Sequence, residues 1–254
     1  KAKVPSLGYT KGKMNQVKYY RALTWKFVRR NNNWYAYVTV DVDPPPITSL
    51  KNNGIISIDF NSGFLAVSDV DRYGNLVSSF QVPYQSTHCT SEQTRQSLSE
   101  ALKIVIKYAV DQAKPIGYEN LDFKKKKQHL KQMSSKQAKL LSGFAYSTYQ
   151  TMLQNKCEMA GIELISVNPA YTSQIGHHKF MKKYGISSHE SAALVIGRRC
   201  LDLKRVEKIP QHHILNKGKK DSILKMDRLS QWKELCKQWK KYSFNNKIYL
   251  LNHI

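Results

Sequence analysis

The sequence has little cysteine, and its four cysteines form no close pair: Cys89, Cys157, Cys200 and Cys236. A zinc ribbon is built from cysteines in C-x-x-C pairs, so we expect no zinc site. Isolated cysteines in apolar stretches are typical of small core residues in a reducing, intracellular setting.

Long apolar runs are also missing. No stretch approaches the ~20 apolar residues that a membrane-spanning helix needs, and no signal peptide precedes the first predicted strand. We therefore expect no membrane among the partners of this chain.

Acidic residues are scarce, because 18 Asp and Glu stand against 41 Lys and Arg, a formal net charge of +23. Such a charge destabilises a compact fold by self-repulsion unless a polyanion covers it. Nucleic acid is the favoured partner, because neutralising its phosphates releases counterions. An acidic membrane surface is the alternative, but no amphipathic helix with an exposed apolar face stands out.

The N-terminal region reads as a hairpin followed by a linker. Residues 21–42 contain two β-type runs around "RRNNN", which predicts the hairpin. The next segment, "DPPPITSLKNN", has three consecutive prolines, which exclude a helix and favour an extended tether. We therefore predict domains at residues 1–50 and 51–205, followed by a basic helical segment at 206–254.

Strands and helices follow one another in the order β-β-β-α-β-α-β-α over residues 51–205. Thr90 with Gln93, or Ser91 with Thr94, has the spacing of a helix cap. A second helix is predicted over 135–160, and a third begins near Ser187. Strand–helix–strand crossovers are right-handed, so the pattern predicts an α/β fold with a mixed five-stranded sheet flanked by helices.

Two predicted strands end on acids. "GIISIDF" brings Asp59 to the end of the first strand, "IGYENLDF" brings Glu119 to the end of the fourth, and His189 and Glu190 lie in the first turn of the helix after the fifth. Functional groups gather at such strand ends and helix starts. Converging acids repel one another unless a cation lies between them, and their oxygens suit one or two Mg²⁺ or Mn²⁺ ions.

Each candidate has a structural alternative. Asp59 is also compatible with a simple turn, Glu119 with a cap or a lysine partner, and His189 with a polar first-turn position. Glu190 has the spacing to close a capping box with Ser187, which favours that role over metal binding.

Two segments are candidate contacts to nucleic acid. A lysine run shortly after Glu119 favours a phosphate-tracking loop over a merely solvated face: Lys124, Lys125, Lys126 and Lys127. Polar donors after the fifth strand can contact phosphate or a displaced strand, although loop structure explains them nearly as well: Tyr171, Thr172, Ser173 and Gln174.

Four fragments occur in an informative order: "GIISIDFNSGFLAVSDVDRYGNL", "IGYENLD", "GIELISVNPAYTSQIG" and "HESAALVIGRR". Together, over about residues 20–205, they resemble the RuvC-like nuclease domain of the insertion-sequence TnpB (OrfB) family, relatives of the type V CRISPR effector nucleases. The resemblance implies an RNase H-like fold and an RNA-guided DNA endonuclease, encoded by a mobile element, that hydrolyses phosphodiester bonds with two divalent ions. Asp59 and Glu119 match the first two catalytic acids of that family.

The resemblance also implies the partners of the protein, and this sequence departs from the family pattern at two points. It implies that the partners are a guide RNA and a target DNA rather than a small-molecule substrate. It also implies a prokaryotic, cytoplasmic protein associated with the nucleoid. Residues 1–50 would be the tail of a wedge-like nucleic-acid-binding region. The family's zinc ribbon is absent, and His189 stands at the position of the third acid. Histidine binds metals through a neutral ring nitrogen. A catalytically weak or inactive RNA-guided DNA-binding protein, acting as a repressor, is therefore the alternative function.

Overall fold

The computed structural model describes residues 24–39, 43–121, 143–203, 207–210, 218 and 220–241. The chain divides into two compact units, residues 1–45 and 46–254. Lys124 to Lys127 and the predicted start of the second helix lie outside the described residues. Within the described ranges, no helix combines the length and the apolar character needed to cross a membrane.

The first unit contains the predicted hairpin. Strands β1 (Thr24–Arg30) and β2 (Asn33–Thr39) pair antiparallel, and Arg30 lies opposite Asn33. Asn31 and Asn32 form the two-residue turn with positive φ angles of 46° and 63°. Asparagine tolerates this left-handed region better than most residues, which explains why the polar run closes the hairpin.

The second unit is built on a five-stranded sheet. Its strands are β3 (Ile55–Asn61), β4 (Phe64–Val70), β5 (Leu76–Pro83), β6 (Ile116–Glu119) and β7 (Leu164–Val167). The spatial order is β5-β4-β3-β6-β7; β3, β4 and β5 pair antiparallel, whereas β6 lies parallel to β3 and β7 parallel to β6. This mixed sheet confirms the predicted RNase H-like α/β fold.

Helices cover both faces of the sheet. They are α1 (Ser91–Asp111), α2 (Gly143–Met159), α3 (Thr172–Gly176), α4 (Lys182–Tyr184), α5 (Ser188–Cys200), α6 (Lys220–Leu224) and α7 (Arg228–Lys240). A π-helical turn, His177–Met181, joins α3 to α4. The predicted cap of α1 is confirmed, because Thr90 and Gln93 form a reciprocal capping box.

Side-chain alternation along β3 divides the core into two clusters. Ile56 and Ile58 pack with α1 and α2 on one face, and Ile55 packs with α5 and α7 on the other. The α5 helix approaches the sheet closely at Gly197, where a Cβ atom would lie 2.8 Å from the Ser57 hydroxyl oxygen. The face that carries α5 is also the face on which the candidate site lies.

Candidate active site

Asp59 lies where the parallel part of the sheet ends. The last residue pair between β3 and β6 joins Ile58 to Tyr118, and Asp59 is the next residue. The sequence predicted that β3 ends at Asp59, but the strand continues to Asn61 because its antiparallel pairing with β4 continues to Phe64. Asp59 therefore sits on rigid, paired backbone, and the residue as a whole is 8% exposed.

Glu119 is the last residue of β6 and follows Tyr118 as Asp59 follows Ile58. Ile58 and Tyr118 both belong to the cluster beneath α1 and α2. Because successive side chains of a strand point to opposite faces, Asp59 and Glu119 both lie on the α5 face of the sheet. The register thus places both residues at the same end of the parallel strands and on one face of the sheet.

The backbone and side chain of Glu119 each have a partner from outside the sheet. The Tyr146 hydroxyl of α2 donates to the Glu119 carbonyl oxygen and accepts from the Leu121 amide at 3.1 Å, which fixes the end of β6. Burial raises the pKa of Tyr146 to about 12, so its hydroxyl keeps its proton. At the side chain, the Thr172 hydroxyl donates to Oε1 of Glu119.

His189 meets Asp59 directly. Nδ1 of His189, the second residue of α5, lies 3.2 Å from Oδ2 of Asp59. Asn61 donates to the same oxygen at 2.9 Å, and the Phe64 ring packs edge-on against the imidazole. The hydrogen bond to Asp59 raises the pKa of His189 above its ordinary value, and partial burial opposes this effect.

Glu190 has a different role from its neighbour. Its Oε2 accepts from the Ser187 amide at 2.9 Å, and the Ser187 hydroxyl accepts from the Glu190 amide at 3.2 Å. This is the predicted capping box, and it occupies the Glu190 carboxylate. The hydroxyl of Ser68 donates to the Glu190 carbonyl at 2.7 Å, which holds the start of α5 on β4. Between the two candidates for the third ligand, the geometry favours His189.

The chemistry of the donor atoms fits a divalent cation. Two carboxylates and one imidazole supply oxygen and nitrogen donors, which suit Mg²⁺ and, with the nitrogen, Mn²⁺. Across the described parts of the chain, however, no three His, Cys, Asp or Glu side chains lie together so that they could hold a metal ion. The hydroxyl of Thr172 contacts one oxygen of the Glu119 carboxylate.

Residues 146–199 match the family model described as Cas12f1-like, TNB domain. The matched segment runs from α2 to α5 and carries both Thr172 and His189. The match covers about a fifth of the chain. Together with the order of strands in the sheet, the match supports a RuvC-like domain of the TnpB type.

Two solved structures of RuvC are similar to this chain. The Thermus thermophilus RuvC structure is 12% identical, with a TM-score of 0.41, over 59% of this chain and 95% of that chain. T. thermophilus RuvC in complex with Holliday junction substrate is 11% identical, with a TM-score of 0.43, over 60% and 96% of the two chains. None of the curated proteins compared with the sequence matches it significantly.

The predicted nucleic-acid contacts after β7 separate into two groups. Ser173 and Gln174 are exposed, and the half-buried Tyr171 packs against the cluster beneath α5. Thr172 is 2% exposed and bonded to Glu119, which favours a role inside the protein over the predicted contact with nucleic acid. These residues form the cap and the first turn of α3 rather than a loop.

Three residues around the acids were not singled out from the sequence: Asn61, Tyr146 and Thr172 as a partner of Glu119. Asn61 had a signal, because it stands two positions after Asp59 and so shares its face of the strand. Tyr146 and Thr172 lie 27 and 53 positions from Glu119, and no local spacing relates them to it.

Proposed function

We propose that this chain is a divalent-metal-dependent DNA endonuclease directed by a guide RNA and encoded by a mobile element. The observation that carries the proposal is the contact of His189 with Asp59 on the sheet edge that Glu119 shares. The net charge of +23 supports a nucleic-acid substrate, because a basic surface attracts and holds the phosphate backbone.

The residues of the site have separate tasks in this proposal. When bound, one or two Mg²⁺ or Mn²⁺ ions supply the positive charge that stabilises the attacking and leaving oxygens of a phosphodiester. Asp59 and Glu119 hold that charge, and Asn61 fixes the orientation of the Asp59 carboxylate. The ionised Asp59 only accepts hydrogen bonds, so a neutral His189 that donates through Nδ1 keeps its lone pair on Nε2.

A second candidate function is RNA-guided DNA binding without efficient cleavage. Two observations favour it: an imidazole adds no negative charge where the family has its third acid, and among the described residues no three His, Cys, Asp or Glu side chains lie together so that they could hold a metal ion. Both reduce the attraction of the metal-free site for a cation. In this case sequence choice still depends on base pairing with the guide, and the protein acts as a repressor.

One experiment distinguishes the two functions. The protein is expressed with its flanking DNA, the RNA that co-purifies is sequenced and synthesised, and the complex is incubated with matched or mismatched DNA and Mg²⁺. Asp59→Ala tests the site, and Asp111→Ala, an exposed acid at the end of α1, is the matched control.

The endonuclease proposal expects cleavage of matched DNA by the wild type and by Asp111→Ala, and none by Asp59→Ala or with chelator. Binding of matched DNA without cleavage supports the repressor function instead. Equal action on matched and mismatched DNA contradicts guidance by RNA.

A further inference from the structure

Thr172 is a buried hydroxyl at the edge of the candidate site. Its side chain is 2% exposed, and its hydroxyl donates to Oε1 of Glu119. The carbonyl oxygen of Pro169 lies 3.1 Å from the same hydroxyl. A hydroxyl has one proton, so it donates to one of these two oxygens at a time, and neither state leaves the buried donor without a partner.

The helix that carries Thr172 is held against the helix that carries His189. At Gly176, the last residue of α3, an added Cβ atom would lie 2.6 Å from the Ser191 carbonyl carbon and 2.8 Å from the Ala192 nitrogen. Only glycine allows this approach of the two backbones. Ser191 stands two positions after His189, so the contact fixes Thr172 relative to the start of α5.

The same segment is anchored on its other side by the C-terminal part of the chain. Ile175 of α3 and Phe180 of the π-helical turn are buried in one cluster with Trp232 and Trp239 of α7. The centroid of the His178 ring lies 4.6 Å from that of Trp239. Dense packing on both sides leaves α3 little freedom to move, so the Thr172 hydroxyl is presented from a rigid support.

From this geometry we infer that Thr172 is a positioning residue for the metal site. Its hydroxyl fixes the orientation of the Glu119 carboxylate on the sheet face that it shares with Asp59, so that cation binding does not have to order a long, flexible side chain. Outer hydrogen bonds to ligating side chains typically change metal affinity by about 10- to 100-fold. The inference rests on the proposed function, in which Glu119 is a metal ligand.

The test measures the affinity of the full-length protein for Mn²⁺ alone, by electron paramagnetic resonance. Thr172→Val removes the hydroxyl and keeps the shape, whereas Thr172→Ser keeps the hydroxyl and removes the methyl group. Thr172→Val is expected to raise the dissociation constant by about 10- to 100-fold, and Thr172→Ser to bind like the wild type. A purely structural role predicts no such rescue by serine.

Unchanged or tighter binding by Thr172→Val overturns the inference. Urea unfolding without metal shows whether each variant is folded, and Thr172→Ala replaces Thr172→Val if the latter is not. A wild type without Asp59-dependent Mn²⁺ binding contradicts the proposed function itself. Wild-type binding with an unaffected Thr172→Val contradicts only the role of Thr172.

Discussion

Nδ1 of His189 lies 3.2 Å from Oδ2 of Asp59, although the two residues are 130 positions apart in sequence. The contact depends on the start of α5 being fixed over β3 and β4. The Ser68 hydroxyl holds the Glu190 carbonyl there, and Gly197 allows α5 to lie close against the sheet. His189 is thus brought to Asp59 by packing at both ends of its helix.

The Asp59–His189 contact predicts a measurable titration. Asp59 stabilises the charged imidazole, so the pKa of His189 in the folded protein lies above its ordinary value. Asp59→Asn is expected to lower it. The measurement is an NMR pH titration of the metal-free protein, in which the His189 signal is assigned from its loss in His189→Gln.

The sign of the accompanying stability effect is fixed by linkage. A raised pKa in the folded state contributes stability that is fully present below the unfolded-state pKa and is lost as the pH rises through the folded-state pKa. The wild type should therefore exceed Asp59→Asn in unfolding free energy most at low pH. This excess should shrink as the pH rises from the unfolded-state pKa of His189 through its folded-state pKa. An unchanged His189 pKa in Asp59→Asn would show that the two groups do not interact in solution.

Glu190 should matter for stability and not for metal binding. Because its carboxylate closes the capping box of α5, Glu190→Ala is expected to cost about 1 kcal/mol of unfolding free energy. Glu190→Gln retains a side-chain acceptor for the Ser187 amide and should cost less. Both variants should bind Mn²⁺ like the wild type; a loss as large as that of Asp59→Ala would make Glu190 a ligand.

A buried ion pair offers a test of the sheet that supports the site. Lys114, between α1 and β6, contacts Asp69 of β4, and the two side chains are 9% and 1% exposed. Removing one partner leaves a buried charge, so Asp69→Asn and Lys114→Met are each expected to cost about 3–5 kcal/mol. Urea unfolding measures this loss.

The matched control is the exposed pair of Lys103 and Glu100 on α1, which is 60% exposed on both sides. Lys103→Met should change the unfolding free energy by less than about 1 kcal/mol. If Lys114→Met and Lys103→Met lower the unfolding free energy equally, the ion pair of Lys114 and Asp69 is not buried.

The C-terminal helix should be needed for the stability of the second unit. Trp232 of α7 is fully buried, and its indole donates to the Glu207 carbonyl at 2.7 Å. Trp232→Ala is expected to destabilise the protein by about 3–5 kcal/mol, measured by thermal and urea unfolding. Trp34→Ala is the control, because Trp34 is 70% exposed. Equal unfolding curves for wild type and Trp232→Ala would show that α7 does not pack into the core.

The sequence predicted the sheet well because the strands have an apolar composition and are bounded by turn and capping residues. The apolar run of β3, the capping box at Thr90 and the box at Ser187 each have a local cause, and each is confirmed. The end of β3 was predicted two residues early, because the pairing of Asn61 with Phe64 depends on the neighbouring strand.

The candidate site could be predicted only in part. Asp59 and Glu119 were found because acids at the ends of apolar strands are a local signal, and His189 because the family resemblance placed it. Thr172 was assigned to nucleic acid because its burial results from the packing of α3 on α5, which no residue spacing reveals. The Glu119 contact follows from that packing.

Asp59 and Glu119 belong to one metal-dependent site in the proposed function. The most direct test compares the cleavage rates of matched DNA by Asp59→Asn, Glu119→Gln and the double variant, with guide RNA and Mg²⁺. Residues that act as a unit are strongly non-additive, so each single variant should lose nearly all activity and the double variant should lose no more. If each single variant lowers the cleavage rate moderately and the double variant lowers it by the product of the two factors, the two acids act independently. A single variant that cuts like the wild type would likewise show that its residue is not part of the site.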